Sequence, residues 1–164
     1  MIGFISRLFS RAEPALSQAS SRDAAMIAAL HAASFRRGWS EQEVEALLVD
    51  RYVIAHRASV GARLTGFILS RLVEDEAEIL SVAVARAGQG RGLARNLLNL
   101  HLRRLAGLGC RTVFLEVDEN NKPAIRLYDR AGFHEISRRA NYYPGADGKE
   151  NKPAAALVLR RDLT

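Results

Sequence analysis

The chain has 164 residues, which gives one domain with a proper core, and its 48% hydrophobic content excludes general disorder. A single cysteine, Cys110, excludes an internal disulfide framework or a multi-cysteine zinc site, and His31, His56, His101 and His134 lack metal-ligand spacing, so no metal is expected. The net charge of +6 comes from arginines spread along the chain, with lysine only at 122, 149 and 152, so direct nucleic-acid binding is not expected either.

The opening run, Met1 to Arg11, holds Ile2, Phe4, Ile5, Leu8 and Phe9. It is too short to span a bilayer and lacks the form of a secretory signal. Residues 1–14 read as a tail, with a short amphipathic helix on a membrane or partner surface as the alternative. Residues 15–164 read as one domain, expected in the cytoplasm. Pro14 to Ser20 suggests a short edge strand, and Asp23 to Phe35 a helix with Ile27, Leu30 and Ser34 along one side. Ser40-Glu-Gln-Glu43 is a capping box, Trp39 is placed to staple onto Val44, and that helix ends near Asp50. Tyr52–His56 and Leu64–Ser70 form a predicted hairpin, followed by a strand over Glu78–Val84 that is apolar enough to be covered on both faces.

The next helix, from Arg91 to about Ala106, carries Ala94, Leu98, Leu102 and Leu105 as one stripe, and Gly107 and Gly109 stop it. Cys110 beside the stop reads as small buried filler. Arg111–Asp118 is a predicted strand, Asn121–Ala131 a helix closed by Gly132, and Phe133–Arg138 and Ala154–Leu159 closing strands. A polar loop with Pro144-Gly and Asp147-Gly lies between those two, and Tyr142 and Tyr143 fall in it. The order of elements is that of an α/β fold: a mixed central β-sheet flanked by α-helices.

Two segments carry chemistry. In the first, strand Ser81–Val84 runs into Gly88-Gln-Gly-Arg-Gly92, which opens the leucine-rich helix. Glycines admit a ligand close to the backbone, and the unpaired N–H groups of a helix start attract phosphate. A Walker loop would need Lys-Ser/Thr where Leu93-Ala94 stands, and a dinucleotide fingerprint would need G-x-G-x-x-G rather than G-x-G-x-G. In the second, Val113, Leu115 and Val117 point one way and Phe114 and Glu116 the other. Glu116 is then either an exposed carboxylate on an open sheet face or part of a site. Asn121 caps the following helix, with Pro123 in its first turn. Tyr128 on that helix is either a core aromatic or a phenol aimed at a ligand.

Gln89-Gly-Arg-Gly-Leu-Ala94 matches Q-x-x-G-x-A, and Leu115-Glu-Val followed by Asn121-x-x-Ala-x-x-Leu-Tyr-x-x-x-Gly-Phe133 matches a second stretch of the same pattern. With Trp39-Ser40 and Arg138-Arg-Ala-Asn-Tyr-Tyr-Pro144, the chain over about residues 20 to 150 resembles the GCN5-related N-acetyltransferases (GNAT). The likeness is to the subgroup that acetylates the N-terminal alanine of a small-subunit ribosomal protein. It implies a GNAT-like fold, acetyl-coenzyme A (acetyl-CoA) as co-substrate, and a protein N-terminus as acceptor, with a small-molecule amine or lysine side chain as the alternative acceptor and a non-catalytic acetyl-CoA-binding module as the alternative to an enzyme. It also implies roles: Val82, Ala83 and Val84 for the pantetheine arm; Gln89, Gly90, Arg91, Gly92, Leu93, Ala94 and Arg95 for the pyrophosphate; and Asn121 for a further cofactor contact. Glu116 corresponds to the general base, acting through water, Tyr128 to the general acid, and Tyr142 and Tyr143 to the acceptor site. The chain departs from the subgroup at Glu150-Asn-Lys-Pro153 and in the placing of the arginine pair. Both departures bear on the acceptor, not the cofactor.

The implied roles suit the reaction. At pH 7 an α-amine is neutral about one time in seven and a lysine about one time in 2,500, so a base that takes the ammonium proton assists attack.

Overall fold

The computed structural model describes residues 12–143 and 153–163; the remainder of the tail and the Pro144–Gly148 loop lie outside them. Seven strands form one sheet: β1 (Ala15–Gln18), β2 (Val53–Val60), β3 (Arg63–Val73), β4 (Glu76–Val84), β5 (Thr112–Asp118), β6 (His134–Tyr143) and β7 (Ala154–Asp162). Their order is β1-β2-β3-β4-β5-β7-β6. Every neighbouring pair is antiparallel except β4–β5, so the sheet is mixed, as predicted. Helices α1 (Ala24–Ser34) and α2 (Glu41–Val49) cover one face, and α3 (Leu93–Gly107) and α4 (Lys122–Arg130) pack on the other.

Local chemistry sets most element ends. The Glu43 backbone N–H donates to Ser40 Oγ at 3.1 Å and the Ser40 N–H to Glu43 Oε2 at 2.7 Å, which closes the capping box of α2. Trp39 packs on the cluster that holds Val44, and its ring also stacks on His31 with centroids 4.0 Å apart. Its backbone N–H donates to His31 Nδ1, which ties the start of α2 to α1. At the far end of α3, Gly109 takes φ +92°, and the Cys110 N–H donates to the Leu105 carbonyl.

Three expectations change. The hairpin is longer than the apolar runs suggest, because pairing continues to Val60↔Arg63 around Gly61 (φ +58°) and to Val53↔Arg71. β6 likewise runs past Arg138, with Tyr143 paired to Ala154, so Tyr142 and Tyr143 are strand residues and not loop residues. β4 is also not covered on both faces: Glu76 and Glu78 are exposed, and Leu80, Val82 and Val84 are only half-buried. They border open cavities, for a reason that lies in how the sheet parts.

The apolar stripe of α3 is present, with Leu93, Leu97, Leu98, Leu102 and Leu105 buried, and His101 buried among them. Its Nδ1 lies 2.7 Å from His56 Nδ1 on β2, and its Nε2 lies 2.7 Å from Ser70 Oγ on β3. Such a chain needs one imidazole to donate and the other to accept at the shared contact, which two neutral rings satisfy and two imidazolium rings cannot. Burial, reinforced by His56, holds His101 down at about 3; burial and Arg104 lower His56. Burial lowers His31 as well.

The sign of the linkage follows. These histidines are neutral in the fold but take up protons in the unfolded chain below about 6.5, so their contribution is full above that pH and is lost as pH falls toward the folded values. Urea midpoints measured at pH 7.5 and pH 5 should fall with acidification, by about 2 kcal/mol of stability for His101 alone. Replacing His101 and His56 together by apolar residues should flatten that dependence.

Candidate active site

The site begins where two strands part. β4 and β5 pair over Glu76↔Thr112, Ala77↔Val113 and Glu78↔Phe114, and no further. Beyond Glu78, β4 keeps β3 on one side, and β5 keeps β7 on its other side through Asp118↔Ala156. The β3–β4 pairing also jumps from Ser70↔Ile79 to Leu69↔Ser81, which makes Leu80 a bulge residue at the fork. The backbone of β4 from Ile79 to Val84 therefore presents an unpaired edge toward β5, which an extended ligand can use.

On the α3–α4 side the fork opens into a cavity of about 1030 Å³. Val82, Ala83 and Val84 line it from β4, as do Gln89, Gly90, Gly92, Leu93, Ala94 and Arg95 from the turn and α3, and Asn121 and Tyr128 from α4. The turn is shaped by two positive φ values, +76° at Gly90 and +77° at Gly92, and a Cβ built at either would meet nothing within 4 Å. Gln89 Nε2 donates to the Val84 carbonyl at 3.1 Å and so anchors the turn to the end of β4. Arg91, expected with this set, lines a second cavity behind the turn instead. Asn121 caps α4 by accepting from the Ala124 N–H at 3.3 Å. Tyr128 is 8% exposed, its ring edge-on to Phe133, and burial pushes its phenol up to about 12. It is both a core aromatic and a cavity-lining phenol, so the two readings open in the sequence are compatible.

On the opposite face, Glu116 lines a cavity of about 910 Å³ together with Trp39, Glu78, Leu80, Tyr142 and Tyr143. Strand alternation places it there: Val113, Leu115 and Val117 are buried against α3 and α4, while Glu116 is half-buried on the other side. Its Oε1 lies 3.3 Å from an Arg139 guanidinium nitrogen, and that guanidinium sits 5.4 Å from the Tyr142 ring centroid. Burial is the main influence that raises the Tyr143 phenol, with the negative charges of Glu116 and Asp118 adding to it. Arg139 was not among the residues singled out from sequence. Its only sequence signal is its place in an arginine pair, and its reach to Glu116 depends on β6 and β5 flanking β7. Among the described residues no group of three or more metal-ligating side chains forms.

Known proteins share this fold. The model of the acetyltransferase (GNAT) family matches residues 24–133. Over 121 residues the chain is 35% identical to the [ribosomal protein bS18]-alanine N-acetyltransferase of Escherichia coli strain K12, covering 74% of this chain and 81% of that relative. The crystal structure of the ribosomal-protein-S18-alanine N-acetyltransferase from Escherichia coli superposes with a TM-score of 0.84 at 26% identity, over 92% of this chain and 94% of that one. Arabidopsis thaliana NAA60, solved in complex with acetyl-CoA, shares the fold at 19% identity, with a TM-score of 0.79 over 91% of this chain and 98% of that one. With the family model covering most of the domain and one relative covered over four-fifths of its length, the chain belongs to the GNAT acetyltransferase family.

Proposed function

We infer that this protein is an acetyl-CoA-dependent N-acetyltransferase that modifies the α-amine of a protein N-terminus, with the N-terminal alanine of ribosomal protein bS18 as its acceptor. The observation that carries this reading is the fork itself. One strand edge is free, a glycine turn stands at its end, and a carboxylate and a phenol lie on the two sides. The relatives named for the same acceptor support the choice of substrate.

The residues present fit acetyl-CoA. Gly90 and Gly92 line the cavity as a cradle in a left-handed conformation that favours glycine, and the start of α3 offers backbone N–H groups to a pyrophosphate. The free edge at Val82 to Val84 suits the amide-bearing pantetheine arm. When bound, acetyl-CoA supplies an activated acetyl group as a thioester. The protein's part is to hold that group, accept a proton from the amine and return one to the leaving sulfur.

Glu116 is the acceptor of the ammonium proton, through a water. Arg139 orients it through the ion pair, and the acceptor enters from the cavity that Tyr142 and Tyr143 border. Tyr128, whose burial keeps its proton across the physiological range, is the donor toward the thiolate. β4 backbone N–H groups at the fork are the donors for the carbonyl oxygen. Transfer is direct, with no acyl-enzyme; Cys110 lies buried at the end of α3, and burial raises its thiol.

The first test supplies acetyl-CoA and a panel of short peptides and locates the acetyl group by mass spectrometry. Modification of the alanine α-amine of the bS18 peptide is expected, at rates well above those for other N-termini or N-blocked lysine peptides. Acetylation of lysine or small amines alone would refute the acceptor and leave the family intact. Glu116→Gln should lower kcat/KM by about 10²–10⁴-fold at pH 7. The loss should shrink as pH rises past the amine's own pKa of about 7.8, where the acceptor arrives neutral. Tyr128→Phe should lower kcat with little change in the KM for acetyl-CoA. Gly92→Ala, forced into a left-handed φ at a cost of about 1–2 kcal/mol, should instead act on the KM for acetyl-CoA, measured by steady-state kinetics.

A further inference from the structure

Behind the glycine turn lies the second cavity, of about 540 Å³, bounded by β1, the β2–β3 hairpin and the start of α3. Its wall includes Arg63, Thr65, Arg91 and Asn96, with Glu13 as its one carboxylate. A bulge sets Thr65 there. The β2–β3 pairing passes from Ala58↔Gly66 to Ser59↔Leu64, so Thr65 is the extra residue on β3. Thr65 is 5% exposed, and its Oγ1 has no hydrogen-bond partner among the described residues. A buried hydroxyl left unpaired is costly, and such groups call for a ligand or a water. Arg63 and Arg91 likewise have no ion-pair partner among the described residues.

We propose that this cavity is a second, anion-accepting site that takes a small molecule bearing a phosphate group. Two guanidinium forks together with the Thr65 hydroxyl and the Asn96 amide offer more donors than the two oxygens of a carboxylate can use, and a phosphate has a third. Leu16 and Val60 give an apolar wall for the rest of the molecule. The site is distinct from the cradle, yet it touches it, since Gly88 and Leu93 line both cavities. Two anions on opposite sides of one turn repel, so the second ligand weakens binding of a pyrophosphate-bearing ligand in the first cavity, and the reverse holds equally.

The test is an amide NMR titration of the full chain with inorganic phosphate at constant ionic strength, for the native protein, Thr65→Val and Arg63→Gln. Thr65→Val keeps the side-chain shape and Arg63 is exposed, so both variants should keep dispersed, folded spectra. Shifts at Arg63, Thr65, Arg91 and Asn96 are expected, with apparent affinity weakened about tenfold in either variant. Acetate at the same concentration should bind more weakly than phosphate. Shifts confined to Gly90, Ala94 and Arg95, with equal affinity in all three proteins, would mean that phosphate occupies only the cradle and would overturn the second site. Absence of any phosphate-dependent shift would overturn it too, and acetate binding as tightly as phosphate would overturn the ligand class. None of these readings depends on which amine the enzyme acetylates.

Discussion

The parallel pairing of β4 with β5, and its end after three residue pairs, is the constraint from which the rest of the site follows. Parallel neighbours need a crossover, and α3 supplies it, so the N-terminus of α3 must sit at the C-terminal end of β4. β5 runs the same way, and α4 begins just past its end. Two helix starts therefore face the mouth of one fork. An unpaired strand edge inside a sheet would ordinarily be a defect. Here it is the surface along which an extended, amide-bearing substrate can complete the pairing.

The two sides of the fork carry different chemistry because strand and helix periodicities put different residues there. Glu116 alternates away from Val113, Leu115 and Val117 and meets Arg139 and the two tyrosines. Tyr128 on α4 is buried toward the other side and keeps its proton for that reason. In the proposed roles, a proton acceptor and a proton donor would thus stand on opposite faces of the sheet.

The bulges matter as much as the regular ladder. Leu80 is displaced at the fork, and Thr65 at the hairpin end behind the glycine turn. The two buried hydroxyls without a partner among the described residues, Thr65 and Ser81, lie at or beside these two places. Each bulge exchanges local pairing for a re-aimed side chain. The His56–His101–Ser70 chain does the opposite nearby, closing polar groups of β2, β3 and α3 on one another in the middle of an apolar layer.

The sequence by itself determined what is local. The capping box at Ser40, the glycine turn before Leu93, the stop at Gly109, the cap at Asn121 and the alternation around Glu116 are all written within a few residues, and short-range sterics and hydrogen bonding suffice to read them. The family pattern extended that reading to the proposed site residues, because its motifs sit on those same turns and caps. Only the tertiary structure decided the length of β6, the parting of β4 from β5, and the meetings of His56 with His101, Glu116 with Arg139 and Thr65 with the second cavity. Those depend on register and on packing between segments far apart in the chain, where one shifted pair re-aims every side chain beyond it, and no periodicity within either segment encodes the shift.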